Sequence, residues 1–103
     1  MAEHVTVWRM KVVPGKGDEL AELLHNEPPD LDRLSAAGWV ATIIGRRKEH
    51  PDELWGTVTW DTSDNYYANA DDPQQHAWYT RLRALLTEDP EWFDCDLVSE
   101  ERA

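Results

Sequence analysis

The chain has 103 residues, a formal net charge of −11 and 41% hydrophobic residues, which bound it to one globular domain over 1–103 with a single core. The acidity argues against nucleic acid, because no basic stripe exists to displace phosphate counterions, and against anionic membrane surfaces. No apolar run of about 18 residues marks a membrane span, the opening MAEHVTVWRM lacks the basic-then-apolar order of a signal peptide, and the single Cys95 forms no internal disulfide, so a cytoplasmic location is expected.

Taken in order, HVTVWRMKVV over 4–13 reads as a strand with Thr6, Trp8, Met10 and Val12 on one face. PGKG at 14–17 ends it and opens a helix whose first turn carries Asp18 and Glu19 at the positive end of the dipole. Leu20, Leu23, Leu24, Leu31 and Leu34 form the apolar stripe, and Pro28 and Pro29 predict a kink after about Asn26. Gly38 stops the second piece. WVATIIG at 39–45 and LWGTVTW at 54–60 are strands joined by a polar loop, a hairpin. Asp61, Thr62 and Ser63 are competent caps for two helical turns over DNYYANA, and DDP restarts a helix with Pro73 at or near its first position. Trp78, Leu82, Leu85 and Leu86 share one arc of that helix, EDP at 88–90 ends it, and EWFDCDLV at 91–98 is the last strand.

The order β-α-β-β-α-β predicts an α+β, ferredoxin-like domain with one antiparallel sheet and helices on one face. Strict alternation puts Val40, Ile44 and Trp55 opposite Trp39, Ile43 and Trp60. A sheet apolar on both faces with one helical layer implies that a second sheet covers it, so a homodimer is expected.

The run VVPGKGDELAELL, then GWVATIIGRR, then TWDTSDNYYANADDP resembles the antibiotic biosynthesis monooxygenase family, whose fold is a dimeric α+β barrel. The resemblance spans almost the whole chain. It implies a pocket between sheet and helices in each subunit. It also implies an oxidoreductase that monooxygenates a small aromatic or polyketide-type molecule without a cofactor. The alternative is a non-catalytic small-molecule-binding or accessory dimer on the same fold; an isomerase or cyclase is a third reading. Haem-degrading relatives use an Asn, a Trp and an axial His at positions that fall here on Trp8, Asn69, and Trp78 or Tyr79. Indole offers iron no lone pair and nothing marks Tyr79 as a ligand, so that branch is disfavoured.

The candidate ligand-binding residues are Trp8, Tyr66, Asn69, Trp78 and Tyr79. Within the implied reaction the tryptophans form an apolar slot, a tyrosine orients a phenol, and Asn69 donates to developing oxyanion charge. No catalytic residue is assigned. His76 lies off the apolar arc and is expected in solvent or near the turn; His4, His25 and His50 fall at a strand start, a helix end and a loop. No histidine pair has the spacing of a zinc site, so no metal is expected. Asp94 and Asp96 flank Cys95 and disfavour its thiolate. Six tryptophans could fill a core, a pocket or an interface.

Overall fold

The computed structural model describes residues 2–26 and 30–103. Its elements run β1 (His4–Lys11), α1 (Gly17–Asn26), α2 (Leu31–Ala37), β2 (Trp39–Arg46), β3 (Glu53–Trp60), α3 (Ser63–Ala70), α4 (Pro73–Arg83) and β4 (Glu91–Asp96). The four strands form one sheet in the order β2-β3-β1-β4, with every pair antiparallel. This is the ferredoxin-like α+β arrangement that the element order predicts. The kink expected at Pro28 and Pro29 lies outside the described residues.

Local chemistry sets the helix ends. Asp30 caps α2 by accepting from the backbone N–H of Asp32 and Arg33. Gly38 ends α2 at φ +119°, and a Cβ there would overlap the Asp61 carboxylate, so only glycine fits. Thr62 caps α3 by accepting from Asn65 N–H at 3.1 Å. Asp72 caps α4 by accepting from Gln74 N–H at 2.8 Å, with Pro73 in the first turn.

Register decides which side chains meet. His4, Thr6, Trp8 and Met10 of β1, and Val12 just beyond it, are all buried beneath the helices. Trp8 stands opposite Gly56 on β3 and Trp92 on β4. Its indole lies where a Gly56 Cβ would be. The core joins Trp8, Met10 and Val12 to Leu20 and Leu23 of α1, Leu54 of β3, Leu82 of α4, and Leu86.

Two details differ from the sequence reading. A bulge in β2 between Trp39 and Ala41 shifts the alternation by one residue. Trp39, Thr42 and Ile44 therefore face the helices, and Ile43 joins Trp55 on the outer face, where strict alternation had exchanged the two isoleucines. Helix α4 also stops at Arg83, before Leu85 and Leu86. The chain there crosses back to the end of β1: Val12 bridges Leu86, Val13 N–H donates to the Leu85 carbonyl (2.9 Å) and Thr87 N–H to the Lys11 carbonyl (3.0 Å). These bonds replace sheet pairing, so β1 ends at Lys11 rather than Val13.

The outer sheet face carries Val5 and Val7 with Ile43, Trp55 and Phe93, the last three 70%, 40% and 50% exposed. At its end, buried Glu53 accepts from Trp55 Nε1 (2.8 Å) and pairs with Arg9 and Arg47. Burial works to raise its pKa, but those hydrogen bonds and the two guanidinium charges outweigh it and hold the carboxyl below its ordinary 4.5. None of the described helices is long and apolar enough to cross a membrane.

Candidate functional site

A cavity of about 900 Å³ lies between the sheet and the helices. That volume suits a ligand of several fused rings. Its floor is the inner sheet face, with Trp8, Ile44, Val58, Trp60 and Trp92; α1 and α2 contribute Leu24 and Leu34, and α3 and α4 the rest of the roof. Five of the six tryptophans border it, and the sixth, Trp55, is on the outer face. The aromatic excess therefore surrounds a space and does not fill it.

All five sequence-predicted residues, Trp8, Tyr66, Asn69, Trp78 and Tyr79, stand on the cavity wall. The break between α3 and α4 positions three of them. Asp72 N–H donates to the Asn69 carbonyl (3.0 Å), turning the chain between the helices. Asn69 then lies in the last turn of α3, while Trp78 and Tyr79 come round in the second turn of α4. Asn69 Oδ1 and Trp78 Nε1 are buried and have no hydrogen-bond partner. An acceptor and a donor left bare in this way each cost about 1–3 kcal/mol.

His76 is exposed, as expected, yet borders the cavity, as does His25. Sequence reasoning missed a polar cluster at the β1–β4–α3 corner. His4 is 2% and Thr6 0% exposed. Ser63 Oγ lies 2.9 Å from His4 Nδ1, and His4 Nε2 lies 2.7 Å from Thr6 Oγ1. Thr6 donates to Asp94 Oδ1 (2.8 Å), and Tyr67 donates to Asp94 Oδ2 (3.0 Å). Tyr66 stacks on the His4 ring at 4.3 Å and meets Trp60 and Tyr67 edge-on. Burial raises the Tyr66 pKa above its ordinary 10; a hydrogen bond with Thr6 opposes this and Asp94 adds to it. The Tyr67 hydroxyl is raised first by its bond to Asp94 and then by burial. Both tyrosines are thus held as O–H donors. The in-phase alternation of His4 with Thr6 and Trp8 was a signal available in the sequence.

Among the described residues no three His, Cys, Asp or Glu side chains converge as a metal site. Cys95 is exposed and pairs with Val5 on the outer side of the sheet, away from the cavity.

No family model matches the chain, and no curated protein matches its sequence. Solved structures do match its fold. A dimeric ferredoxin-like protein from an uncultured marine organism superposes with a TM-score of 0.82 at 14% identity, covering 100% of this chain and 94% of that one. A proposed antibiotic biosynthesis monooxygenase from Chloroflexus aurantiacus gives 0.77 at 20% identity, with 97% of each chain covered. This chain has the fold of the antibiotic biosynthesis monooxygenases. The same monooxygenase fold is seen in a variant of SnoaB, a cofactor-independent oxygenase from Streptomyces nogalater, at a TM-score of 0.71 and 20% identity over 97% of this chain and 95% of that one.

Proposed function

We propose that the protein is a cofactor-independent monooxygenase acting on a small aromatic or polyketide-type molecule held between sheet and helices. The observation that carries this is the cavity walled by five tryptophans, with Tyr66, Tyr79 and Asp94 also on its border. A flat apolar ring satisfies the tryptophans, and oxygen substituents on it satisfy polar groups at the edge. SnoaB, similar in fold, is a cofactor-independent oxygenase.

In such a reaction the ring supplies the electrons. A phenol loses its proton, the electron-rich ring reduces O₂ directly, and overall one ring C–H carbon and O₂ give a ring carbonyl and water, the phenol becoming its keto form. The chain holds the ring and excludes water. It also orients the phenol with Tyr66 or Tyr79, with the Asn69 amide as the donor toward developing negative charge on oxygen. The test is oxygen uptake with hydroxylated polycyclic aromatics, read beside quenching of tryptophan emission. Uptake with carbonyl product supports the monooxygenase; quenching without uptake identifies a binding protein instead.

The working form is a homodimer in the cytoplasm, with the outer sheet faces of two copies packed together. The exposed Ile43, Trp55 and Phe93 support it, since they share one sheet face with Val5 and Val7. The fold neighbour described as dimeric supports it too. A monomer in sedimentation at micromolar concentration would overturn it.

A further inference from the structure

The polar corner of the cavity has a direction. Thr6 has one hydroxyl hydrogen and gives it to Asp94 Oδ1. Its 2.7 Å contact with His4 Nε2 is therefore one in which Thr6 accepts, so Nε2 carries the hydrogen. In the neutral ring, Nδ1 is then the acceptor, taking the Ser63 hydroxyl at 2.9 Å. Ser63, His4 and Thr6 thus each donate toward Asp94, and Tyr67 donates to its other oxygen. Aligned donors of this kind polarise one another.

Asp94 itself borders the cavity. A carboxylate has about four acceptor sites. Thr6 and Tyr67 take two, which leaves room for a further donor. Among the described ion pairs none neutralises Asp94 with a lysine or arginine. A ligand carboxylate would meet a like charge, and a hydroxyl would meet an acceptor.

We propose that Asp94 is the specificity-determining residue of the cavity: it receives the O–H of a neutral, hydroxylated polycyclic ring, and Thr6 and His4 act as positioning residues that hold its carboxylate in place. The ring lies between the sheet, where Asp94 reads a hydroxyl, and the helical roof. The ligand class is a hydroxylated polycyclic aromatic without a carboxylate. The assignment rests on the cavity binding an aromatic ring, as proposed above.

The experiment is tryptophan-emission quenching by 1-naphthol, 1-methoxynaphthalene and 1-naphthoate, which share a ring and differ in the group offered to Asp94. A hydrogen bond to a charged acceptor predicts that naphthol binds about tenfold tighter than its methyl ether, with naphthoate weakest. Asp94→Asn keeps the shape and an acceptor but loses the charge; the preference should fall to about threefold or less and naphthoate should bind better. Thr6→Val should weaken the preference and Thr6→Ser should retain it, a distinction that packing alone does not make. Tyr67→Phe, at an exposed site, should raise the preference by removing a competing donor. Equal binding of naphthol and its ether, or a preference unchanged in Asp94→Asn, overturns the assignment while leaving the cavity reading in place. No binding of any naphthalene overturns both.

Discussion

Adding one methyl group at Gly56 tests the packing that forms the cavity floor. Gly56 stands directly opposite Trp8, and a Cβ there would overlap the Trp8 indole. The obstacle is a rigid ring on the adjacent strand, so it cannot swing aside as a flexible chain end would. Overpacking of this kind costs about 1–3 kcal/mol. The gain from stiffening the unfolded chain offsets about 0.4–1 kcal/mol of that. A net loss of about 1.3 kcal/mol in Gly56→Ala corresponds to a fall of roughly 5–10 °C in melting temperature for a domain of about 100 residues. Urea denaturation followed by far-UV circular dichroism measures the loss, and tryptophan emission reports the displaced Trp8. The decisive comparison is a double-mutant cycle. In a Trp8→Leu background the methyl meets no ring, so Gly56→Ala should become neutral or mildly stabilising. If Gly56→Ala costs the same in both backgrounds, or costs nothing in the parent, the indole does not occupy that position and the cavity floor is misdrawn.

Two further outcomes follow from the structure. Ile43→Asp places a carboxylate on the outer sheet face, at the edge strand β2, of a chain already at −11; two copies should separate by at least tenfold in dissociation constant, read by sedimentation, with the monomer's circular dichroism unchanged. Spectrophotometric titration at alkaline pH should show Tyr66 and Tyr67 ionising above their ordinary 10. Because both pKa values are raised in the folded state, the stability they contribute is complete below pH 10 and is lost as pH rises through the shifted values. In Asp94→Asn, Tyr67 should return most of the way toward 10, since its bond to Asp94 is the leading cause, whereas Tyr66, raised chiefly by burial, should move less.

The helices and strands were legible because their boundaries carry local chemistry. Asp30, Gly38, Thr62 and the Asp72-Pro73 pair act within a few residues of themselves, and a reader of the sequence has those residues in view. The β2 bulge was not legible. It depends on how Trp39 pairs across to Trp60, and a single inserted residue exchanged Ile43 and Ile44 between the two faces. The end of α4 was misplaced for a similar reason, because Leu86 is claimed by Val12 at the far end of β1. In the site, the aromatic wall could be read from the abundance and spacing of tryptophan. The Thr6–Asp94 bond could not, since it joins residues 88 positions apart and exists only once β4 has docked in register. His4 looks like a strand-start residue until that partner is in place.

The strand order also bears on how the chain is made. Strand β1 is synthesised first but occupies the sheet interior, between β3 and β4. Its pairing with β3 becomes available once residue 60 has emerged, and its other edge stays bare until 91–96 follow. During that interval β1, with Val5 and Val7, keeps an unpaired backbone edge, a template for pairing with a neighbouring nascent chain. The acidic residues Glu91, Asp94 and Asp96 then arrive on the strand that closes this edge and leave the finished sheet with a charged border on that side. Expression yield should therefore respond to changes in β4 more sharply than the stability of the finished fold does.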